Sequence, residues 1–181
     1  MAEFRHETER LLLRDWREDD AEDFHRLHRD PEVMATLGQV QEFVYTVNLI
    51  ADLQARSRKN GGYTFWAIER RSDARVIGFC GLDRGHEGTI VGELEIGWRL
   101  ARDCWGQGYA YEAALACFDW AWTYLPGERI VAVTSAINIR SRRLMERIGM
   151  THRPDLDYEY EGIPPGDPLR PHVTYAKEPP L

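Results

Sequence analysis

A glycine turn in the middle of the chain has the residue types to bind an anion. The run Trp105-Gly106-Gln107-Gly108-Tyr109-Ala110 follows a predicted strand and leads into a predicted helix. Such a turn presents backbone N–H groups at a helix N-terminus, where the helix dipole also favours negative charge. Glycine lets the backbone approach a ligand closely. The turn therefore predicts a phosphate or pyrophosphate site, the alternative being an ordinary tight turn.

Two common phosphate-binding turns do not fit this run. A P-loop requires a Gly-Lys dipeptide, which the chain lacks. A dinucleotide fingerprint requires a third glycine where Tyr111 stands, and an acidic residue after the next strand. That strand, Ile130–Ser135, ends without one.

Carboxylates lie on the strand before the turn. The alternation in ELEIGWRL places Glu93, Glu95, Gly97 and Arg99 on one strand face. A carboxylate in a partly buried cleft can have a raised pKa and act as a general base near neutral pH. The alternative is that both glutamates are solvated or pair with Arg99.

The elements that position these residues follow from hydrophobic periodicity and turn signals. The order is β-α-α-β-β-β-α-β-α-β-β, with antiparallel strands first and then a βαβ unit. We expect one domain over residues 1–181: an α/β fold with a single mixed, mostly antiparallel sheet of about seven strands and helices on both faces. The predicted strands are Arg10–Trp16, Tyr63–Glu69, Val76–Leu82, Glu93–Leu100, Ile130–Ser135, Thr151–Glu161 and His172–Ala176. The predicted helices begin near Ala21, Val40, Tyr111 and Asn138, and Pro31 is expected to end the first.

Composition limits the function classes. The formal net charge is −7, which disfavours a nucleic-acid binder. No apolar run approaches the roughly 18 residues of a membrane span, and the N-terminus lacks the apolar core of a secretory signal, so we expect a cytoplasmic protein. Three widely spaced cysteines predict reduced thiols, at least one of them buried, rather than a disulfide or zinc site. We expect no metal, and His25 and His28 are interpreted as surface residues.

Several segments together resemble the GCN5-related N-acetyltransferases, the GNAT family. The glycine turn is similar to the family's Q/R-x-x-G-x-G/A motif, with Trp105 in place of the usual Gln or Arg. RLLLRDWREDDAEDFHRLHRDPEV resembles its first strand and helix, and ELEIGWRL its fourth strand. VTSAINIRSRRLMERIGM is similar to its N-x-x-S…G-[FM] segment. The resemblance covers nearly the whole chain and is closest to the RimJ/RimL-like branch, which acetylates N-termini of ribosomal proteins.

The resemblance implies an acyl-CoA N-acyltransferase fold and acetyl-CoA as co-substrate. Strand Glu93–Leu100 would splay from Ile130–Ser135, and main-chain atoms of Trp98 and Leu100 would contact the pantetheine arm. Amides from Gly106 to Ala110 would hold the pyrophosphate, next to Trp105. Asn138 and Ser141 would also contact the cofactor.

The resemblance also implies catalytic roles. Glu95 is the first candidate for the base that deprotonates the amine and Glu93 the second, while Ser141 would protonate the leaving thiolate. Asn138 is in addition a good N-cap whose side chain reaches the amide of Ser141. Arg140, Arg142, Arg143 and Arg147 form a basic run that is either a solvated face or meets the 3′-phosphate through one member.

The predicted function is transfer of an acetyl group to a primary amine, either a protein N-terminus or a small amine. The alternative is a CoA-binding regulatory module without turnover. A monomer or homodimer is expected. Five aromatic residues and a proline-rich loop are candidates for the part of the site that binds the acceptor amine: Trp16, Tyr45, Trp66, Tyr158, Tyr160 and Ile163–Pro171.

Overall fold

Nine strands form one sheet in the computed structural model, which describes residues 3–180. In chain order they are β1 (Arg5–Glu7), β2 (Leu11–Arg14), β3 (Phe65–Arg70), β4 (Arg75–Arg84), β5 (Leu94–Leu100), β6 (Ile130–Ser135), β7 (Thr151–His152), β8 (Tyr158–Glu159) and β9 (Pro171–Lys177). The sheet order is β1-β2-β3-β4-β5-β6-β9-β7, with β8 also paired to β9. Every pairing is antiparallel except that of β5 with β6.

The strand count exceeds the expected seven for two local reasons. The short β1 precedes the first predicted strand and pairs with it. The segment predicted as one strand over 151–161 contains a 3-10 turn at Pro154–Leu156, where the proline has no N–H to donate, so it splits into β7 and β8. The mixed, mostly antiparallel sheet is confirmed.

Helices cover both faces of the sheet, as predicted. They are α1 (Ala21–His28), α2 (Pro31–Met34), α3 (Phe43–Lys59), α4 (Tyr109–Tyr124) and α5 (Ile139–Arg147). Neighbouring residues of β4 show the two sides: the Phe79 ring contacts Phe24 of α1 at 6.1 Å between centroids, whereas Cys80 Sγ meets Cys117 of α4 at 3.6 Å. Because successive strand residues point to opposite faces, α1 and α4 lie on opposite sides. No helix in the range 3–180 is long and apolar enough to cross a membrane.

The chain between α1 and α3 corrects two sequence predictions. Pro31 begins the short α2 instead of ending the first helix, which stops at His28; proline suits the first turn of a helix, where its missing N–H is not needed. His28 was wrongly placed on the surface. It is fully buried against Phe24, and its Nδ1 lies 2.8 Å from the Thr46 hydroxyl of α3. Burial, Arg99 and His25 lower the pKa of His28 to about 3, so the imidazole is neutral.

The three cysteines are buried free thiols, as expected. Trp16 and Trp66 belong to the core rather than to an acceptor site. Trp66 is inaccessible and stacks on Phe4 with 3.9 Å between ring centroids. Trp16 donates its indole N–H to the Phe65 carbonyl at 2.7 Å.

Candidate active site

The two parallel strands in the middle of the sheet separate soon after they meet. β5 and β6 pair only at Leu94 with Ile130 and at Glu95 with Val131, although both strands continue beyond these residues. Past that point the facing edges leave backbone N–H and C=O groups unpaired across the gap. Buried backbone groups require partners, so this gap is suited to a ligand that offers amides of its own.

A cavity of about 800 Å³ occupies the gap and continues to the start of α4. It collects nine of the ten residues predicted to bind the cofactor, all except Gln107. The nine are Trp98, Leu100, Trp105, Gly106, Gly108, Tyr109, Ala110, Asn138 and Ser141. Residues more than 40 positions apart in the sequence therefore border one cavity. In the sequence analysis, only the family resemblance predicted that they would lie together.

The glycine turn has a backbone conformation that favours glycine. Gly106 and Gly108 have φ values of +73° and +82°, and Gly108 is the residue that precedes α4. Open space lies where a Cβ of Gly106 would stand, and a Cβ of Gly108 would meet only the Arg10 guanidinium, at 3.4 Å. An exposed turn of this shape at the N-terminus of a 16-residue helix fits a diphosphate.

Gln107 shapes the turn instead of lining the cavity. Its side-chain amide donates to the Asp103 carbonyl at 2.7 Å, and its own carbonyl accepts from Arg10 Nη1 at 2.9 Å. Arg10 is held in turn by Glu112 of α4, with 2.7 Å between Nε and Oε2. These contacts connect the turn to Arg10, the residue that precedes β2.

Trp105 stands where the family motif has Gln or Arg, and the structure shows what it does. Its indole N–H donates to the Leu100 carbonyl at 2.9 Å, which ties the turn to the end of β5. The guanidinium of Arg140 lies over its ring at 4.4 Å from the centroid. The tryptophan therefore fixes a basic side chain of α5 at the mouth of the cavity.

Asn138 caps α5 in the predicted way. Its Oδ1 accepts from the amide of Ser141 at 3.2 Å, while its Nδ2 donates to the Thr134 hydroxyl at 2.9 Å. Both ends of the side chain are therefore engaged, and it joins β6 to α5 at the wall of the cavity. The Ser141 hydroxyl does not take part in the cap and borders the cavity.

The basic run on α5 divides into two groups. Arg142 turns away from the cavity and donates to the Ala136 carbonyl at 3.0 Å. Arg140, Arg143 and Arg147 border the cavity, and Arg147 lies over the Tyr111 ring at 4.6 Å. Three of the four arginines of the run therefore border the cavity.

Glu95 is the last residue of β5 that pairs with β6, so it lies at the closed end of the gap. Ile96 and Gly97, which follow it, border the cavity. Burial raises the pKa of Glu95 to about 7, with smaller contributions from the negative charges of Asp83 and Glu87 and an opposing one from Arg56. A carboxylate with this pKa exchanges protons readily near neutral pH.

Glu93 has a different environment. It precedes β5 and pairs with Arg129, 2.6 Å between Oε1 and Nη2. The alternative of ion pairs with Arg99 is wrong for both glutamates among the described residues, because Arg99 contacts neither. Glu93 is thus held in an ion pair, which Glu95 lacks among residues 3–180.

Of the tyrosines suggested for the acceptor end, Tyr158 lies near Glu87 and Glu95, and Tyr160 contacts Glu87. Burial and the charges of Glu87 and Glu95 raise the pKa of Tyr158 above its ordinary value. The Tyr160 hydroxyl is 3.4 Å from Glu87 Oε1. The proline-rich loop that follows is fastened by Arg170, which donates to the Ile163 carbonyl at 2.6 Å. Glu87 was not predicted from the sequence, because it lies in a glycine-rich turn and reaches the site only through folding.

Splayed parallel strands beside a glycine turn are the arrangement that the resemblance to acetyltransferases implies. A family model described as an acetyltransferase (GNAT) domain matches residues 10–151. The chain belongs to the GNAT family, and the enzyme is an N-acetyltransferase.

Individual N-acetyltransferases also match this chain in sequence or in fold. The chain is 32% identical over 161 residues to an uncharacterized N-acetyltransferase, p20, of Bacillus licheniformis, with 86% of this chain and 83% of p20 covered. Among solved structures, the ribosomal L7/L12 α-N-protein acetyltransferase RimL superposes with a TM-score of 0.77 at 14% identity, covering 98% of this chain and 96% of that one. The microcin C7 self-immunity acetyltransferase MccE, solved with acetyl-CoA and AMP, has a TM-score of 0.74 at 15% identity, with 94% and 93% covered. These two structures show the shared fold.

Proposed function

We propose that the protein transfers an acetyl group from acetyl-CoA to a primary amine, of a protein N-terminus or of a small molecule. One observation carries the proposal. The cavity between β5 and β6 has a glycine turn suited to a diphosphate at one end, and the strands close the gap at Glu95, whose pKa is about 7. MccE, which shares the fold, is a relative solved with acetyl-CoA bound.

The residues of the cavity match the parts of acetyl-CoA. The amides from Gly106 to Ala110 would hold the pyrophosphate, and Arg140, Arg143 or Arg147 would meet the 3′-phosphate. The unpaired edge of β5, at Trp98 and Leu100, would bind the amides of the pantetheine arm, with Asn138 and Ser141 on the opposite wall. When bound, acetyl-CoA supplies an acetyl group activated as a thioester.

Glu95 would act as the general base. An α-amine has a pKa near 8, about one unit above the pKa of Glu95, so the proton transfer to Glu95 is nearly balanced. The neutral nitrogen then attacks the thioester carbon, a C–N bond forms, and the C–S bond breaks. Ser141 would donate its proton to the departing thiolate and take up the second proton that the nitrogen loses on becoming an amide.

The second candidate function is a CoA-binding module without turnover. Glu95 argues against it, because keeping a carboxyl group buried without a counter-ion costs stability that a binding module has no need to give up. The two functions separate in one experiment, in which acetyl-CoA is titrated by calorimetry and thiol release is followed with a panel of amines and N-terminal peptides. Binding with thiol release supports the enzyme, binding alone supports the module, and no binding contradicts both. A cytoplasmic location, a monomeric or homodimeric state, and the absence of metal and of nucleic-acid partners stay predictions.

A further inference from the structure

Arg99 is half-buried, and two of its guanidinium nitrogens are buried without a counter-ion. Its Nε and Nη1 atoms are inaccessible to solvent and have no hydrogen-bond partner among residues 3–180. No carboxylate of that part of the chain forms an ion pair with it. Most other arginines pair with acidic side chains, including the buried Arg14, whose Nη2 is 2.7 Å from Asp20.

The surroundings of Arg99 do not satisfy the guanidinium. The Phe79 ring lies 5.6 Å from its Cζ, and the charge of the Tyr45 phenol and a hydrogen bond to it oppose only in part the lowering of the Arg99 pKa by burial. The neighbouring imidazole of His28 is neutral, and its Nε2 is also buried without a partner. Buried charges in proteins are normally paired, and leaving one unpaired is costly. An anionic group on a ligand would supply the missing counter-ion of Arg99.

The position of Arg99 shows which ligand could bring that anion. Glu95, Gly97 and Arg99 alternate on β5 and therefore share the sheet face that carries α1. Gly97 and Arg99 both border the cavity. At about 3.3 Å per strand residue, the Cα atoms of Glu95 and Arg99 are roughly 13 Å apart. The Phe65 ring lies over Gly97, between the two, so an acceptor that reaches both Glu95 and Arg99 has to pass beside this ring.

We propose that the acceptor carries an anionic group, a carboxylate or a phosphate, which Arg99 binds while the amine lies toward Glu95. This inference rests on the proposed function, because it names the chemical class of the amine. Arg99 is then the residue that determines acceptor specificity. A planar guanidinium suits a bidentate contact with either anion.

The first test observes the side chain directly and does not depend on turnover. The ¹⁵N–¹H signal of the Arg99 Nε, assigned by its loss in Arg99→Lys, is followed while acetate and, separately, inorganic phosphate are added to the wild-type protein. We expect a saturable shift of this signal with at least one of the two anions, and the anion that acts identifies carboxylate or phosphate as the preferred group. An unchanged signal with both anions overturns the inference.

The second test compares matched acceptors by thiol release from acetyl-CoA. Linear ω-amino acids of two to six carbons are paired with their carboxamides, and phosphoethanolamine is paired with ethanolamine. We expect a roughly ten- to hundredfold higher kcat/KM for the anionic member of at least one pair, since charge-assisted hydrogen bonds are strong. Arg99→Gln should remove this preference through KM, and Arg99→Lys should keep part of it. The exposed Arg5→Gln serves as the control for loss of one positive charge and should keep the preference.

The outcomes separate this inference from the proposed function. Equal turnover of anionic and neutral amines overturns the role of Arg99 and leaves the acetyltransfer reaction in place. If no amine is acetylated, the proposed function fails, and the signal of Arg99 still decides whether the site binds an anion. If Arg99→Gln misfolds, two measurements on the wild-type protein still decide: the Nε signal of Arg99 and the comparison of matched amines.

Discussion

Asp83 of β4 lies directly opposite Glu95 of β5 in the antiparallel register. The two carboxylates face the same side of the sheet but are treated differently by their neighbours. Asp83 accepts from Arg56 Nη1 at 3.0 Å and from Asn60 Nδ2 at 2.9 Å, whereas no hydrogen bond to the Glu95 carboxylate is formed within residues 3–180. The pairing leaves Asp83 as a fixed negative charge beside Glu95 and helps to keep the pKa of Glu95 near neutrality.

Glu95→Gln keeps the size of the side chain and removes its basicity. We expect kcat/KM at pH 7 to fall by about 10²- to 10⁴-fold, because this is the usual contribution of a general base. Activity should partly recover at higher pH, where more of the amine is already neutral. Steady-state rates from pH 6 to pH 9.5 measure this. Glu93→Gln is the matched control and should lose much less, since Glu93 is engaged by Arg129. A wild-type pH profile for Glu95→Gln would make Glu95 a structural residue.

The neighbours of Glu95 should move the pH profile in opposite directions. Asp83→Asn removes a negative charge that raises the pKa of Glu95, so the acidic limb of the profile should shift to lower pH. The shift should be smaller than the full displacement from 4.5 to about 7, because burial is the larger cause. Arg56→Gln removes an opposing charge and should shift the limb to higher pH. Shifts of the same sign in both variants would show that the limb does not report Glu95.

Glu95 should also make the stability of the fold depend on pH. Its pKa is raised from 4.5 in the unfolded chain to about 7 in the folded one, so the folded state binds the proton more tightly. Its contribution to stability is fully present below pH 4.5 and is lost as the pH rises through 7. Glu95→Gln should therefore stabilise the protein at pH 8 relative to wild type, by up to about 3 kcal/mol, and change little at pH 4.5. Urea denaturation at the two pH values measures the difference, and an equal effect at both would contradict the assigned pKa.

Gly108→Val should weaken acetyl-CoA binding by at least about tenfold, because a β-branched side chain would cover the amides at the start of α4. The variant also carries backbone strain, since its φ is +82°. Gly127→Val separates the two effects. Gly127 has nearly the same φ, +81°, faces open space and does not border the cavity. Both variants should lose stability of about 1–3 kcal/mol, and Gly108→Val alone should lose affinity in calorimetry. Equal affinities of the two folded variants for acetyl-CoA would show that this turn does not bind the diphosphate.

Ser141→Ala distinguishes proton donation from cofactor binding. The cap of α5 uses the Ser141 amide and the Asn138 side chain, so stability should change by less than about 1 kcal/mol. If the hydroxyl protonates the thiolate, kcat falls while the dissociation constant of acetyl-CoA stays constant, the signature of an interaction made only in the transition state. Weaker binding together with lower kcat/KM would assign the hydroxyl to the cofactor instead. Asn138→Ala is the comparison and should lose stability and affinity together, because its side chain also joins Thr134.

Much of the site was predictable because its signals are local. The glycine turn before an apolar helix requires only the conformational freedom of Gly106 and Gly108. The cap of α5 depends on two residues three positions apart, Asn138 and Ser141. Alternation along β5 placed Glu95 and Arg99 on one face without knowledge of any neighbour. Each of these follows from backbone geometry within a few residues.

The environments of Glu93, Glu95 and His28 depend on residues distant in the chain, so only the fold decided them. Glu93 and Glu95 are equivalent in sequence pattern, and Arg129 engages one while Asp83 and Glu87 act on the other. Periodicity indicated that His28 belongs to an amphipathic helix, but its burial depends on Thr46 and α3.

The sequence by itself determined most of the order of elements, the glycine turn before α4 and the membership of the family that its motifs indicate. Only the tertiary structure decided which carboxylate is free to take a proton and left two guanidinium nitrogens of Arg99 buried without a counter-ion. The physical reason is that protonation and pairing depend on solvent exclusion and on charges a few ångströms away in space. Those distances are set by packing between strands and helices, and no local pattern specifies them.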